Sequence, residues 1–157
     1  MQLERAVIGE AAMLALGAEL AAALQGRGLV FLQGDLGAGK TTLSRGLIRA
    51  LGHAGAVKSP TYTLIEPYEL DGVSLYHLDL YRLADAEELE FLGVRDFLDQ
   101  HSLCLIEWPD KGASFLPTPD LTITIEVVDA GRKIAIRGQS PYGLAVCQRL
   151  NQVWGAK

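Results

Sequence analysis

One short stretch has the residue types and spacing of a phosphate-binding loop. It reads G-x-x-x-x-G-K-T from Gly34 to Thr41 and follows the apolar run Leu29–Leu32. Glycines let the backbone curl so that successive N–H groups point at phosphate oxygens, and the next helix adds its positive end. The spacing predicts that Lys40 reaches the β- and γ-phosphates and that the Thr41 hydroxyl binds magnesium. A Gly-rich turn is the alternative, but strand and helix patterns flank the motif.

Two acidic residues stand where apolar strand patterns end. Asp79 ends the strand-like run that begins at Val73, and Glu107 follows the apolar run Leu103–Ile106. In open α/β sheets ligands bind at the carboxyl ends of strands, so both acids can converge on the nucleotide. A helix cap or an ion pair with arginine is the plainer reading of each. We predict Lys40, Asp79 and Glu107 as catalytic residues, and Thr41, Asp79 and Glu107 as residues at the metal.

Four further side chains are candidates with plain alternatives. Thr61 lies in a hydroxyl-rich loop that could order around a γ-phosphate, although loop hydroxyls usually serve turns. His77 lies two residues before Asp79, so the strand period puts both on one face, and we expect a hydrogen-bonded core histidine rather than a base. Trp108 fits either the core or a partner-facing surface. No arginine finger is obvious, apart from Arg82 as a candidate, so slow turnover is expected.

The composition describes one globular domain without a broad nucleic-acid surface. The 157 residues suffice for a single domain with a real core, and 49% hydrophobic with 21% charged residues argues against disorder. Lys and Arg total 14 against 19 Asp and Glu, a net charge of -5. This balance argues against a sequence-independent grip on phosphate backbones, so we expect any tRNA role to be indirect and no DNA partner.

Neither a disulfide framework nor a membrane span is indicated. Cys104 and Cys147 lie far apart in apolar stretches, without metal-ligand spacing, and are interpreted as reduced core residues. Glu4, Glu10 and Glu19 interrupt any signal-peptide core, and no apolar run approaches transmembrane length. The expected location is therefore the cytoplasm.

Hydrophobic periodicity predicts an α/β fold with a mixed sheet. Asp71-Gly72 is a tight-turn signature that brings antiparallel pairing into the sheet. Asp85 and Glu88 resemble a capping box, which predicts a helix that Gly93 ends. Helices are expected over 10–25, from the loop to Gly52, within 85–93 and over 140–153, and strands over 3–8, 29–33, 64–70, 73–79, 103–107 and 121–127 and after the 129–131 turn.

From these elements we predict a single domain over residues 1–157, interpreted as a P-loop ATPase domain. The predicted fold is a P-loop NTPase-like three-layer sandwich with about seven strands and helices on both faces of the sheet. The Asn-Lys-x-Asp signature of guanine-specific proteins is absent, so ATP is favoured over GTP. A small-molecule kinase is a rival, although the arginines are scattered and no lid is evident. A nucleotide-dependent assembly switch is the other rival.

Several short motifs follow the loop in a characteristic order: Ser59–Thr63, His77–Arg82, Glu87–Glu90 and Ile106–Pro109. With them the chain resembles the TsaE family, formerly YjeE, from the N-terminal strand to the late hairpin. The resemblance implies a bacterial P-loop ATPase that works with TsaB and TsaD to form threonylcarbamoyladenosine on tRNA. TsaB and TsaD would carry out the transfer, while this component supplies an ATP-driven step.

The same resemblance implies roles for individual residues. It puts Thr41 and Glu107 on magnesium, Asp79 in a switch-like acidic position, Thr61 in the first switch and Trp108 near the partner or nucleotide. Adenine contacts are implied near the N-terminal strand and at the 131–132 turn. The predicted contacts with ATP and Mg²⁺ are Gly34, Asp35, Leu36, Gly37, Ala38, Gly39, Lys40, Thr41, Thr42, Gly9, Gly131 and Arg132.

Overall fold

A seven-stranded mixed sheet forms the centre of the computed structural model, which describes residues 2–99 and 101–155. Residues 1, 100, 156 and 157, which the predicted domain includes, lie outside the described residues. The strands are β1 (Gln2–Val7), β2 (Gly28–Gln33), β3 (Ile65–Leu70), β4 (Val73–Asp79), β5 (Leu103–Glu107), β6 (Leu121–Val128) and β7 (Gly131–Gly138), and the helices are α1 (Glu10–Leu24), α2 (Lys40–Ala50), α3 (Glu88–Phe91) and α4 (Pro141–Gly155).

The strand order brings the ends of three parallel strands together. The order is β1-β7-β6-β2-β5-β4-β3, with β5 parallel to both β2 and β4, and β2 also parallel to β6. The β3–β4, β6–β7 and β1–β7 pairs are antiparallel. In the β2–β5–β4 register, Glu107 pairs with Leu32 on one side and Asp79 on the other. The two predicted acids therefore occupy neighbouring positions beside the end of β2.

Alternation along the central strands separates two hydrophobic clusters. Val30 and Leu32 belong to the cluster that contains the buried faces of α1, α2 and α4, whereas Leu29 and Phe31 contact the cluster around α3. The strand period puts residues two apart on one face. Since Leu105 of β5 belongs to the α1/α2/α4 cluster, Glu107 points to the face that α2 covers.

Close contact between α1 and α2 depends on glycine. A Cβ at Gly17 would lie 2.4 Å from the Leu43 carbonyl oxygen, and one at Gly46 would lie 2.3 Å from that of Leu14. Real Cβ atoms do not approach a backbone oxygen so closely. The two helices thus pack backbone against backbone, and this contact fixes the helix that starts at the predicted phosphate-binding loop.

Most sequence-based element predictions are confirmed to within a few residues, and one detail is wrong. Helix α3 begins only at Glu88 and has no side-chain cap. The Asp85 carboxylate instead accepts the Glu87 N–H at 2.9 Å, and the Glu88 carboxylate accepts the Ala84 N–H at 3.2 Å. The capping residues therefore close a turn that precedes the helix. They do not form the predicted capping box.

Both cysteines are buried and free, as predicted. Burial raises the pKa of Cys104 to about 12, so its thiol stays protonated in the folded chain. No helix within residues 2–99 and 101–155 is long and apolar enough to cross a membrane.

The Gly46→Ala substitution should destabilise the protein. Although alanine favours helix, the added Cβ must push α1 and α2 apart, and we expect the free energy of unfolding to fall by about 1–3 kcal/mol. Urea denaturation measures this change. Gly155→Ala is the matched control because its Cβ would meet nothing within 4 Å. Equal stability of the two variants would contradict the close helix contact.

Candidate functional site

The loop between β2 and α2 has the conformation that its glycines predict. Gly34 and Gly39 have φ values of 153° and 119°, which disfavour other residues. A Cβ at Gly34 would also lie 2.6 Å from the Ile125 carbonyl oxygen of β6. Helix α2 begins at Lys40, so its unpaired N–H groups follow the loop directly. The expected strand, loop and helix are therefore all present, with the loop held against the sheet.

Lys40 is folded onto the carbonyl oxygens of its own loop. Its Nζ donates to the Gly34 carbonyl and, at 3.1 Å, to the Asp35 carbonyl. Burial lowers the pKa of Lys40, while nearby carboxylates, Glu107 foremost, oppose that shift. Hydrogen bonds from an ammonium to an ionised oxygen are stronger than those to a neutral carbonyl. A phosphate oxygen is therefore a better partner for this ammonium than the loop itself.

The start of α2 meets the end of β5 through a hydroxyl and a carboxylate. The Thr41 hydroxyl lies 3.4 Å from both Oε1 and Oε2 of Glu107, and Glu107 is 2% exposed. In the described part of the chain, no three His, Cys, Asp or Glu side chains form a metal cluster. Magnesium usually takes one or two carboxylates together with substrate phosphates and waters. The oxygen donors of Thr41 and Glu107 fit that pattern.

Asp79 and Thr61 form a second polar contact on the same side of the sheet. Asp79 Oδ2 accepts the Thr61 hydroxyl at 3.2 Å, and Oδ1 accepts the Tyr81 N–H at 3.0 Å. The Thr61 oxygen lies 2.8 Å from that of Ser59. The predicted switch hydroxyl is thus tied to the predicted acid across 18 residues of sequence.

One cleft unites most of the predicted phosphate and metal residues. It has a volume of about 220 Å³ and is called the phosphate cleft below. Gly34 and Asp35 take part through the carbonyl oxygens that bind Lys40. The lining residues are Leu36, Gly37, Ala38, Gly39, Lys40, Thr41, Thr42, Thr61, Asp79, Glu107 and Trp108.

The predicted adenine contacts line a second cleft that shares the loop with the first. Gly9, Gly131 and Arg132 surround this cleft of about 220 Å³ together with Gly37–Gly39 and Thr42. We call it the base cleft. The family resemblance implied these three residues, which lie in two distant segments of the sequence, and the structure brings them together. Their contact with adenine stays a prediction.

Arg132 contacts the phosphate-binding loop, which nothing in the amino-acid sequence predicts. Its Nε donates to the Ala38 carbonyl at 2.8 Å, and Nη2 lies 3.4 Å from the Gly37 carbonyl. Nη1 donates to the Gly131 carbonyl at 2.9 Å. The guanidinium therefore connects the β6–β7 hairpin to the phosphate-binding loop. Arg132 and Ala38 are 94 residues apart in the sequence, so only the three-dimensional structure reveals this contact.

Trp108 faces the cleft from a strained backbone. Its φ of 57° is uncommon for a bulky residue, and such conformations cluster at functional sites. Lys40 Nζ lies 4.2 Å from the centroid of its ring, and the Tyr81 ring lies 4.9 Å away. Trp108 also packs against the α3 cluster. The side chain that the sequence left undecided is thus both partly in the core and beside the predicted nucleotide.

His77 and Arg82 lie in different surroundings. His77 is completely buried, and its Nε2 lies 2.6 Å from Glu107 Oε2, so the predicted hydrogen-bonded core histidine is confirmed. Its partner was not predictable, because strand periodicity does not give the register between β4 and β5. The Arg82 guanidinium lies 4.5 Å from the Tyr62 ring centroid, and Arg82 lines neither cleft.

Comparison with known proteins assigns the chain to a family. Residues 8–134 match the family model described as threonylcarbamoyl adenosine biosynthesis protein TsaE. The chain belongs to the TsaE family. It is 54% identical over 115 residues to a protein of Haemophilus influenzae, with 73% of each chain covered. A Bacillus subtilis protein is 37% identical over 122 residues, covering 77% of this chain and 76% of its own.

Both relatives are named tRNA threonylcarbamoyladenosine biosynthesis protein TsaE. Among solved structures, the crystal structure of Bacillus subtilis YdiB matches with a TM-score of 0.79 at 31% identity. The match covers 97% of this chain and 95% of YdiB. The TsaE family and the α/β fold predicted from the sequence are therefore confirmed.

The Arg132 contacts predict that this residue supports phosphate binding through the loop. If the loop binds a nucleoside triphosphate, Arg132→Ala should weaken the binding of ATP and of inorganic tripolyphosphate equally, each by about 10-fold. The reason is that a hydrogen bond from a charged group contributes roughly 1.5–3 kcal/mol. Calorimetric titration measures both affinities. Arg137→Ala, on an exposed position of the same strand, is the control. A loss confined to ATP would instead indicate that Arg132 acts on the base.

Proposed function

We propose that this chain binds ATP with magnesium and hydrolyses it slowly, as a component that acts with TsaB and TsaD in forming threonylcarbamoyladenosine on tRNA. One observation carries the nucleotide part of the proposal: Thr41 at the start of α2 contacts buried Glu107, beside the Asp79–Thr61 pair, in one cleft with the loop. The pathway part rests on membership of the TsaE family and on the names of its relatives.

Phosphate binding follows from the loop and from Lys40. The N–H groups at the start of α2 and the positive end of the helix favour an anion there. Lys40 can exchange the neutral carbonyls of Gly34 and Asp35 for phosphate oxygens while it stays buried. When bound, magnesium would neutralise phosphate charge, and Thr41 and Glu107 would hold it.

The base cleft is suited to the rest of the nucleotide. It shares Gly37, Ala38, Gly39 and Thr42 with the phosphate cleft, so a molecule lying along the loop can occupy both. We infer ATP rather than GTP because the guanine signature is absent from the sequence.

Hydrolysis requires an ordered water and stabilisation of the charge on the phosphoryl group. Asp79 and Thr61 are already hydrogen-bonded to each other at the phosphate cleft and can orient the attacking water. No arginine among the described residues lines that cleft. Arginine fingers contribute about 10³–10⁵ to turnover in related chemistry, so the chain alone should turn over slowly.

Partner proteins are the expected source of further rate enhancement. With a net charge of -5, this chain is poorly suited to hold tRNA through its phosphates. Contact with tRNA would therefore occur through TsaB and TsaD, and the chain would supply the ATP-driven step.

Three alanine variants test the site. Lys40→Ala should abolish ATP binding or lower turnover by about 100-fold or more, as loss of a charge-stabilising donor does. Glu107→Ala and Asp79→Ala should leave folded proteins with impaired magnesium-dependent hydrolysis. Turnover should be measured alone and after adding TsaB, TsaD and tRNA singly. Glu126→Ala, at an exposed position of β6, is the matched control. Normal activity in all three variants with partners present would refute the assignment.

The same assay separates the proposed ATPase from its rivals. A small-molecule kinase releases ADP with a phosphorylated product, whereas an ATPase releases inorganic phosphate. An assembly switch predicts that a variant which binds ATP without hydrolysing it still assembles and supports the modification. Modification that instead tracks the hydrolysis rate would exclude the pure switch.

A further inference from the structure

His77 is a fully buried polar residue whose contacts are confined to one side of its ring. Its Nε2 lies 2.6 Å from Glu107 Oε2, while its Nδ1 is buried without a hydrogen-bond partner among the described residues. Leu75, two residues earlier on β4, and Leu105, the residue paired with His77 on β5, belong to one hydrophobic cluster, while Glu66 is paired with His77 on β3. A fully buried imidazole is unusual at a core position of a strand, where an aliphatic side chain could pack instead.

Packing alone does not account for a histidine at this position. A buried polar atom without a partner costs about 1–3 kcal/mol, and Nδ1 carries that cost. The compensating contact is the short hydrogen bond from Nε2 to a buried carboxylate. The contact with Glu107 is therefore what distinguishes His77 from a hydrophobic core residue.

The same carboxylate also contacts the hydroxyl of Thr41. Glu107 lies 3.4 Å from the Thr41 hydroxyl and 2.6 Å from His77, and the strand register fixes its backbone between Leu32 and Asp79. A carboxylate that is hydrogen-bonded by a buried ring has little freedom to rotate. Residues that hold metal-binding carboxylates in this way tune metal affinity by about 10–100-fold.

We propose that His77 is a positioning residue: its Nε2–H holds the Glu107 carboxylate toward Thr41 and so sets the strength with which magnesium supports nucleotide binding. The inference rests on the proposed function and extends it to a residue outside the clefts. The proposal also determines which ring nitrogen carries the proton, since an ionised carboxylate only accepts hydrogen bonds. Nε2 must therefore carry a proton.

Two amide substitutions separate the two ring nitrogens. In H77Q the side-chain amide nitrogen can take the position of Nε2, whereas in H77N the shorter amide replaces Nδ1 and leaves Glu107 without its donor. The readout is the ratio of the dissociation constants of the nonhydrolysable analogue AMP-PNP in EDTA and in saturating Mg²⁺. We expect H77N to lower this ratio about 10-fold or more and H77Q to keep it within about threefold of wild type.

The outcomes distinguish this inference from the proposed function. Wild-type protein that binds AMP-PNP no better with Mg²⁺ than with EDTA would contradict the proposed function itself. If Mg²⁺ strengthens AMP-PNP binding to wild type, two results would overturn only the role of His77. In one, H77N has the same Mg²⁺ ratio as wild type; in the other, H77N and H77Q lower the ratio equally. Circular dichroism and thermal unfolding establish that both variants are folded.

A double-mutant cycle tests whether His77 acts through Glu107. If it does, the variant that combines H77N with E107Q should have the same Mg²⁺ ratio as E107Q alone. Losses that multiply in the double variant would mean that His77 acts by another route, which would overturn the proposal.

A measurement on the wild-type chain does not depend on the folding of any variant. Nitrogen-15 NMR of the imidazole side chains reports which ring nitrogens of His77 carry protons. The His77 signals are assigned by their absence in H77Q or, if that variant does not fold, by through-bond correlation to the His77 backbone. A protonated Nε2 supports the proposal. An Nε2 without a proton would overturn it.

Discussion

The parallel register of β2, β5 and β4 is the constraint on which the candidate site depends. It puts Glu107 beside Leu32 and Asp79 beside Glu107, so a hydroxyl from the start of α2 and two acids from separate strands meet at one sheet edge. A shift of one residue in either pairing would turn a carboxylate to the opposite face, where the α3 cluster is packed. Backbone contact between α1 and α2 then fixes the helix that completes the arrangement.

Burial of charged and polar side chains at the carboxyl ends of these strands is tolerated because each of them has a polar partner. Lys40, His77, Asp79 and Glu107 are each no more than 5% exposed. Lys40 neutralises part of the negative charge, Thr41 donates to Glu107, Thr61 donates to Asp79, and His77 Nε2 is hydrogen-bonded to Glu107. Low local dielectric strengthens these contacts and penalises any group that loses its partner. The site is thus preorganised before a ligand arrives, with Lys40 as the side chain that must change partners.

The sequence was sufficient for the features that depend on local pattern. The G-x-x-x-x-G-K-T spacing predicts the loop, alternation and apolar runs predict the strands, and Asp71-Gly72 predicts the β3–β4 hairpin, whose register confirms a two-residue turn. Features that depend on the pairing of distant segments were not predictable. The His77–Glu107 hydrogen bond needs the β4–β5 register, and the Arg132 contacts need the β6–β7 hairpin folded over the loop. The wrongly predicted cap of α3 shows the limit of local patterns, because a turn before the helix uses the same residues.

Calorimetric titration of ATP into wild-type protein and Thr41→Val, each in Mg²⁺ and in EDTA, tests the central claim most directly. Valine keeps the shape of threonine and removes the hydroxyl that contacts Glu107. The account predicts that Mg²⁺ strengthens binding of ATP to wild type. In EDTA, Thr41→Val should bind ATP with the same affinity as wild type. Mg²⁺ should increase the affinity of Thr41→Val about 10-fold less than that of wild type, in line with the loss of one metal-site contact. An equal gain from Mg²⁺ in both proteins, or no binding of ATP to wild type, would contradict it.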